Sequence, residues 1–454
     1  MEFSKRVSGK EAISQLSEKW SPLIDADGVS PIAENYKKET LAVLLENQEE
    51  ALLEAAHTNN VGAGIKSTGG NANLAGYDIL MMSMARRAVP NLMAFDTMGV
   101  QPMNGPTGMV FSITSRYNSQ GGTEALHNEA NTAFAGDPAS SHSGTSPVEY
   151  LDAAKTGYTD SATGATGTGM STGTGEKLGG PDSGDPSWGQ MAFNIKKMVV
   201  EAKTYGLLAE FTVELQQDLQ KVHNMDAESE LANILSTEMA VEQNRQGIRL
   251  INETAEIGAQ DANFDSAGTL DLSSDVTGRW SNERFAELLF QIDRECNQIA
   301  KRTRRGKGNF VICSSDVASA LSMAGLLNSS DAIAPKIAAF NPDDTGNTYV
   351  GTLLGRIRVY VDPYFASAAG YEYVTVGYKG SSPWDAGIFY CPYVPLELMR
   401  AVGENTFQPK IAFKTRYGMC SNPFIGSQDG TIGLHNNSYF RIFRITNLLG
   451  GAGS

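Results

Sequence analysis

Two stretches of the chain alternate apolar and polar residues in the manner of β-strands. The first is MVFSITSRY, residues 109–117, and the second is QMAFNIKKMVVEAK, residues 190–203. Alternate residues of a strand share one face, so each stretch carries one largely apolar face. A tract rich in Gly, Ser and Thr separates them. The pattern predicts a long hairpin with an insert, and because a lone two-stranded hairpin is only marginally stable, we expect it to rest on a neighbouring surface.

Two later stretches repeat apolar residues with a helical period. The first, residues 226–252, follows Asp226, a suitable N-cap, and would form a helix about 40 Å long, which suits a structural spine. The second, residues 282–304, follows Ser281, which we also expect to cap its helix. Its last turn is basic and Gly306 comes directly after, a typical helix end.

Further strands are predicted after the second helix. Strand NFVIC is followed by a short helix that Ser314 or Ser315 caps, and the later strands are GRIRVYVD, YEYVTVGY and AGIFYCPYV. A mixed segment runs from 407 to 446. The whole pattern predicts an α+β fold with mainly short strands.

The N-terminal residues differ in character from the rest. Residues 1–54 carry alternating charges and small apolar clusters at helical spacing, and Pro22 and Pro31 are expected to split them into short helices. Such helices bury little alone, so we expect them to pack against partners. At Leu52-Leu53-Glu54 the helical run is predicted to end, and the Gly- and Asn-rich residues that follow predict an extended arm. Residues 81–108 alternate apolar clusters with Pro and Gly, and we expect docking to order them.

Composition narrows the class of protein. A chain of 454 residues exceeds the size at which one core keeps growing, so two or more lobes are expected. The net charge of −15 argues against broad binding to nucleic acid or to an anionic membrane. The four cysteines are far apart, which is typical of reduced, buried thiols in a cytosolic protein. The N-terminus lacks the apolar core of a signal peptide, and no apolar run predicts a membrane span.

No residues form a recognisable catalytic pattern. The five histidines show no metal-binding spacing, and no GxSxG elbow is expected, because the match GMSTG at residues 169–173 lies in a low-complexity tract that is not visibly placed between a strand and a helix. The G-x-G patterns within GATGTGMSTGTG are low-complexity and give little support to a nucleotide site. The basic run KRTRRGKG, residues 301–308, fits either a solvated helix end that pairs with acidic residues or a contact with nucleic acid, and the acidic balance of the chain favours the first. We therefore predict no catalytic, cofactor-binding or metal-binding residues.

Several long stretches resemble the major capsid proteins of T4-like tailed bacteriophages. The resemblance covers most of residues 83–445, and the stretches that carry it include RRAVPNLMAFDTMGVQPMNGPTG, WGQMAFNI, ELQQDLQKVHNMDAESELANILSTEMAVEQNR, RWSNERFAELLFQIDRE, RVYVDPY, DAGIFYCPYV and FQPKIAFKTRYG. This resemblance implies an HK97-like capsid fold, with an N-terminal arm, an extended hairpin loop, a peripheral domain with a long spine helix, and an axial domain. It implies no catalysis.

The implied domains can be placed on the sequence. They are a scaffold-like propeptide at 1–54, the arm at 55–106, the extended hairpin with its Gly/Ser/Thr-rich insert at 107–203, the peripheral domain at 204–255, a mainly axial domain at 256–400, and a C-terminal return to the core at 401–454. Better-known members of the family carry an inserted domain where this chain has its polar tract at about 118–186. That tract is expected to be too polar to build a good core.

The resemblance also implies proteolytic processing. A phage prohead protease cuts such subunits after Glu in a Leu/Ile-x-Glu pattern, and Leu52, Glu54 and Ala55 fit that pattern at the junction that composition marks. Three other places within residues 1–54 match as well, ending at Glu18, Glu34 and Glu46, and the pattern recurs on ordinary amphipathic helices. Position along the chain favours a cut between Glu54 and Ala55.

The expected role is that of a self-assembling shell subunit. The family implies hexameric capsomers of an icosahedral or elongated head that encloses double-stranded DNA without reading its sequence. Implied partners are further copies of the chain, a vertex capsid protein, the scaffold core and the prohead protease, together with decoration proteins and a folding chaperonin. The expected location is the virion, after assembly in the host cytoplasm.

Three other functions remain as alternatives. The chain could be the related vertex protein that forms pentamers, although the length of the resemblance favours the hexamer. A cellular nanocompartment shell of the encapsulin type would share the fold but lack the processed segment. A cytosolic enzyme that uses the Gly-rich tract would instead bind nucleotide and remain a small oligomer.

Overall fold

The structure is a computed structural model that divides into two compact units. It describes residues 10–25, 32, 34–59, 93–126, 130–137, 167–181, 186–260, 264, 266–278, 280–324, 327–328, 348–365, 370–403, 407–422 and 434–448. The larger unit comprises Met1–Gly108 with Val199–Ser454, and the smaller comprises Met109–Met198. The expectation of at least two lobes is thus confirmed, and the second lobe is an excursion from within the first.

Helices and strands alternate along the chain, as predicted for an α+β protein. The helices are α1 (Lys10–Ile24), α2 (Asn35–Asn59), α3 (Ala94–Thr97), α4 (Thr172–Gly175), α5 (Val213–Val222), α6 (Ala227–Thr254), α7 (Ser281–Thr303) and α8 (Ser315–Met323). The strands are β1 (Gly99–Val100), β2 (Thr107–Tyr117), β3 (Met191–Glu201), β4 (Lys203–Glu210), β5 (Ala255–Ile257), β6 (Thr269–Asp271), β7 (Phe310–Cys313), β8 (Leu327–Asn328), β9 (Thr348–Leu353), β10 (Ile357–Val361), β11 (Glu372–Gly377), β12 (Ile388–Val402), β13 (Pro409–Ser421) and β14 (Asn437–Thr446).

Two mixed sheets form the larger unit. A four-stranded sheet has the order β1-β12-β13-β4, in which β1 and β12 are parallel and the other pairs antiparallel. An eight-stranded sheet has the order β5-β14-β11-β7-β10-β9-β8, with β6 also paired to β14. Helix α7 packs on this second sheet, since its Leu288, Ile292 and Ile299 lie in one apolar cluster with residues of β7, β10, β11 and β14.

Helix α6 is the long helix predicted at residues 226–252, and the structure confirms a helix there. Asp226 caps it by accepting a hydrogen bond from the Ser229 N–H at 3.4 Å. Arg245 then joins the helix to the second sheet through a 2.6 Å ion pair with the buried Asp362. Gly247, which by propensity alone weakens the helix, lies where an added Cβ would meet the Met98 side chain at 2.2 Å. Close packing therefore explains a glycine in the middle of this helix.

Helix α7 begins one residue earlier than its predicted cap allows. Ser281 is the first helical residue, and Trp280 occupies the N-cap position, where its backbone N–H donates to Glu283 Oε2 at 3.3 Å. The prediction of Ser281 as cap was wrong because Glu283 supplies the return hydrogen bond from within the first turn. At the other end Arg304 adopts a left-handed conformation with φ 53°, ahead of the predicted stop at Gly306.

Two strands are longer than the sequence pattern predicted. Strand β12 has 15 residues and β13 has 13, and their pairing shifts register between Pro392 and Val394 and again between Val394 and Glu397. Such bulges interrupt the regular alternation of side chains, which is why the pattern ended at Val394. At these shifts the carbonyls of Tyr393 and Leu396 accept hydrogen bonds from side chains.

The smaller unit contains the predicted hairpin strands. Strands β2 and β3 pair with each other, as the alternation indicated. The described parts of the insert are held mainly by polar contacts, such as Asp137 N–H to the Thr168 carbonyl at 2.9 Å, with Tyr117 and Phe134 ring centroids 4.5 Å apart. Apolar burial is small here, in line with the polar composition of residues 118–186.

Candidate functional site

The two N-terminal helices form an antiparallel pair. Lys19 Nζ lies 2.7 Å from carboxylate oxygens of both Glu46 and Glu49, and at the other end of the pair Lys38 Nζ lies 2.8 Å from Asp25 Oδ1. Partial burial opposes the charge on Lys19, but the two carboxylates raise its pKa above the usual value. Because these side chains are partly exposed, each ion pair contributes little stability. We call α1 and α2 together the helical pair.

Helix α2 is buried in the core of its own chain. All residues from Thr40 to Leu45 are buried, and Leu41, Leu44 and Leu45 are at most 1% exposed. They share one apolar cluster with Phe95, Val100, Ile248, Ile388, Tyr390 and Phe440. The N-terminal helices were expected to pack against partners, and for α2 the partner is the core of its own chain. The run LAVLL lacks a polar position, which is typical of a helix covered on most sides.

Polar contacts fix how α2 sits on the core. Asn47 Nδ2 donates to the carbonyls of Met103 at 2.8 Å and Tyr393 at 3.0 Å, and Gln48 Nε2 donates to the carbonyl of Leu396 at 2.8 Å. Two of these acceptors lie on β12 at the register shifts described above. Buried carbonyls need partners, so the two amide side chains complete the hydrogen bonding of this strand edge.

Residues 93–103 form a platform between α2 and the rest of the unit. The Met93 N–H donates to Asn244 Oδ1 on α6 at 3.2 Å, and β1 pairs with β12 through Gly99 and Val100. The docking expected for this stretch is therefore confirmed, and its partners lie in the same chain. On the α2 side, Tyr36 Oη donates to the Val100 carbonyl.

The platform contacts Lys379, a lysine whose pKa is lowered from its usual value. Lys379 Nζ donates to the Phe95 carbonyl. Burial lowers the pKa of Lys379 to about 8, and the nearby Asp96 only partly offsets that effect. Lys37 of α2 lies near the same place and lowers this pKa further. Glu34, directly before α2, acts in the opposite direction and raises this pKa.

The candidate cleavage residues Leu52, Glu54 and Ala55 all lie within α2. The helix continues to Asn59, so the predicted helix end at Leu52-Leu53-Glu54 was wrong, because Ala55 and Ala56 favour the helix and extend it past the change in composition. For residues 50–59 the structure describes the helical backbone alone. Glu54 lies within two turns of the helix end, where local unwinding costs least. Of the arm predicted at 55–106, residues 60–92 lie outside the described residues.

The competing cleavage positions have different surroundings. Glu18 lies within α1 and Glu34 directly before α2. Glu46 is held by Lys19 at 2.7 Å and by the Trp20 ring nitrogen at 3.0 Å. A protease must therefore break these contacts to reach Glu46.

The other sequence features that suggested chemistry have structural roles. Within the described ranges, no group of three or more His, Cys, Asp or Glu side chains is placed to hold a metal ion. All four cysteines are free and buried, and burial raises the pKa of Cys296 and Cys313 to about 12. In the basic run, Arg302 pairs with Glu256 at 2.8 Å and Arg305 with Asp385 at 3.4 Å, as the first interpretation predicted.

The hairpin strands expose one apolar face. Six side chains at alternate positions of β2 and β3 are 55–66% exposed: Met109, Phe111, Ile113, Met191, Phe193 and Ile195. We call these six residues the hairpin stripe. Contiguous exposed apolar surface of this kind marks interaction sites in soluble proteins. Over the part of the chain that is described, no helix combines the length and apolar character needed to cross a membrane.

The sequence matches a known protein family. The family described as Major capsid protein Gp23 matches residues 74–445. The chain belongs to this family of bacteriophage major capsid proteins. The family is one of structural proteins of the virion capsid and not of enzymes. The resemblance predicted from sequence is confirmed.

Individual relatives extend the match to the N-terminal helices. The chain is 36% identical to the major capsid protein of Serratia phage KSP90, over 97% of this chain and all of that protein. It is also 36% identical to the major capsid protein of Enterobacteria phage T4, over 94% of this chain and 98% of the relative. The T4 capsid vertex protein is more distant, with 26% identity over 55% of this chain and 57% of that protein.

Solved phage capsid structures also match. The capsid of Myoviridae phage XM1 aligns with a TM-score of 0.38 and 8% identity, covering 78% of this chain and 91% of that one. The capsid of a native GTA particle gives a TM-score of 0.38 and 10% identity, covering 78% and 90%.

Proposed function

We propose that this capsid protein assembles into hexameric capsomers of a phage head that encloses double-stranded DNA. The hairpin stripe carries the proposal, because six large apolar side chains on one face are left in water by the isolated chain. Burying one such side chain stabilises a contact by about 1.5–3 kcal/mol. A second copy of the chain supplies the covering surface in this proposal, and the exposure of the stripe then drives assembly.

The charge of the chain suits a container for DNA. With a net charge of −15, a shell built from many copies repels the phosphate backbone except where local basic groups gather. In the structure, Arg302 and Arg305 of the main basic run are already paired with carboxylates. We infer that the chain encloses DNA without sequence-specific contacts.

The proposal includes maturation by proteolysis. The cut falls between Glu54 and Ala55, is made by a prohead protease, and separates α1 and most of α2 from the mature subunit. Its support is the Leu-x-Glu pattern near the end of α2 and the many intramolecular contacts that this cut would place on one side. The scaffold core, decoration proteins and a folding chaperonin belong to the same assembly scheme, which takes place in the host cytoplasm.

The vertex role is the second candidate. A relative named capsid vertex protein matches 55% of this chain, so the two kinds of subunit share part of their architecture. The major capsid relatives match nearly the whole chain at higher identity. We therefore place this chain in the hexamers, with the vertex protein as a partner that completes the shell.

Electron microscopy of particles formed by the purified chain tests the assembly proposal. Sixfold capsomers in closed or tubular shells are expected from the wild-type chain. A variant with Phe111→Ser and Phe193→Ser should remain unassembled while keeping its circular dichroism spectrum. Particles of normal yield from that variant would contradict the role given to the hairpin stripe.

A further inference from the structure

The contacts described for α2 side chains precede the proposed cut. The described interactions with the core run from Tyr36 to Gln48, and all of them precede Glu54. Cleavage between Glu54 and Ala55 breaks a single peptide bond and removes none of these interactions. Covalent separation and physical release of the helical pair are therefore two different events.

The surface under α2 has the properties of a peptide-binding groove. Its apolar floor is formed by Phe95, Met98, Val100, Ile388 and Tyr390, which share a cluster with the leucines of α2. Its rim presents the carbonyls of Met103, Tyr393 and Leu396, which accept hydrogen bonds from α2 side chains. We call this surface the α2 groove.

The α2 groove selects its ligand by hydrogen bonding as well as by apolar contact. Strand β12 lies next to β1 only as far as Tyr390, and the platform continues along it to the Met103 N–H, which donates to the Pro392 carbonyl at 2.9 Å. Beyond that point the strand edge meets Asn47 and Gln48 instead of another strand. A ligand for this groove therefore needs a helix with a cluster of leucines followed by adjacent carboxamide side chains.

We propose that the α2 groove is a binding site for the cleaved N-terminal peptide, which stays bound to the mature subunit after the cut and leaves in a separate step. The occupant is this chain's own residues 10–54. Its departure opens the apolar floor and two carbonyls of the β12 edge together. The inference rests on the proposed cut after Glu54, but the binding property itself belongs to the groove.

An engineered cut tests retention without the phage protease. A recognition sequence for a site-specific protease is inserted between Glu54 and Ala55 of the full chain, downstream of every contact named above. After digestion, gel filtration followed by mass spectrometry should find the 1–54 fragment in the same peak as the remainder. Separation of the fragment from the remainder during gel filtration would overturn the proposal, whether or not the remainder stays folded.

Exchange of the fragment measures the specificity of the groove. A fluorescent peptide of residues 10–54 is added to the digested protein, and its release is followed after dilution with unlabelled peptide. Leu44→Ala in the peptide should speed release by at least about 30-fold, since truncating a buried leucine loses roughly 2 kcal/mol or more. Asn47→Ala should speed it about tenfold. Glu39→Ala, at an exposed position of the same helix, should change it less than about twofold.

Placing the substitutions in the peptide keeps the test independent of folding, because the rest of the chain is wild type. Equal release rates for the Leu44→Ala and Glu39→Ala peptides would show that the groove does not read α2 and would overturn the proposal. If the phage protease proves to cut elsewhere, the proposed processing site fails while the retention result stands, so the two ideas are tested separately.

Discussion

Helix α2 and the hairpin stripe place similar apolar side chains in opposite surroundings. In α2, the residues from Leu41 to Leu45 are at most 8% exposed, whereas the six side chains of the hairpin stripe are at least 55% exposed. The first set is completed by the core of its own chain. The second has no such cover in the described structure of a single chain. The difference separates contacts that stabilise the subunit from contacts that are available for assembly.

The largest effect on subunit stability is expected in α2. Leu45→Ala leaves a cavity in a fully buried site and should lower the free energy of unfolding by about 2–5 kcal/mol. Denaturant unfolding of the uncut chain measures it. Gln15→Ala, at an exposed position of α1, serves as the control and should stay within about 0.5 kcal/mol of wild type. A small effect of Leu45→Ala would contradict the burial of α2.

The hydrogen bonds of α2 should contribute less to the free energy of unfolding than its buried leucines do. Asn47→Ala removes two hydrogen bonds to buried carbonyls and should cost about 1–3 kcal/mol in the same unfolding measurement. Asn47→Ala is compared with wild type in the full chain, without deletion of residues 1–54. A double variant with Glu39→Ala should show no coupling, because Glu39 is exposed on the same helix.

The buried lysine under the platform predicts a pH dependence. Because the pKa of Lys379 falls to about 8 on folding, the unfolded chain holds this proton up to about pH 10 while the folded chain has lost it. Stability from this group therefore rises as pH increases from 8 to 10, by on the order of 1–3 kcal/mol. The free energy of unfolding is measured across this pH range for wild type, for Lys379→Met, which is always neutral at this position, and for Lys379→Arg, which is always charged. Equal slopes for all three would rule out the lowered pKa.

The smallest effect on the isolated subunit is expected in the hairpin stripe. Phe111→Ser should change the unfolding free energy by less than about 0.5 kcal/mol because the ring is exposed. The same change should raise the concentration needed for assembly by at least about tenfold, as the ring is buried in the proposed contact. Light scattering against concentration measures it, with Ser112→Ala on the opposite face as control. If Phe111→Ser destabilised the subunit but left assembly normal, the hairpin stripe would be a stabilising contact of the subunit and not an assembly contact.

The sequence predicted elements that carry their own local signals. Asp226 and the apolar period after it located α6, and the alternation at Met109 and Met191 located the hairpin strands. These signals depend on neighbours three or four residues away, or two residues away in a strand, so one chain segment contains them.

The rest of the site depended on distant residues. Nothing near Asn47 indicates that its amide meets Tyr393, which lies 346 positions away. The packing of Met98 against Gly247 likewise joins residues that are far apart in the sequence. One local signal for burial lies in the run LAVLL, which has no polar face and therefore favours a helix that is covered on most sides. Residues 41–45 thus indicate a core position for α2.

The mass of the subunit in DNA-filled heads shows whether the capsid protein is matured by a cut after Glu54. Particles are purified from lysates of infected cells, the DNA is released, and the intact mass and N-terminal sequence of the major shell protein are determined. The mature subunit should begin at Ala55. A subunit in filled heads that still contains Leu52-Leu53-Glu54 joined to Ala55 would contradict it.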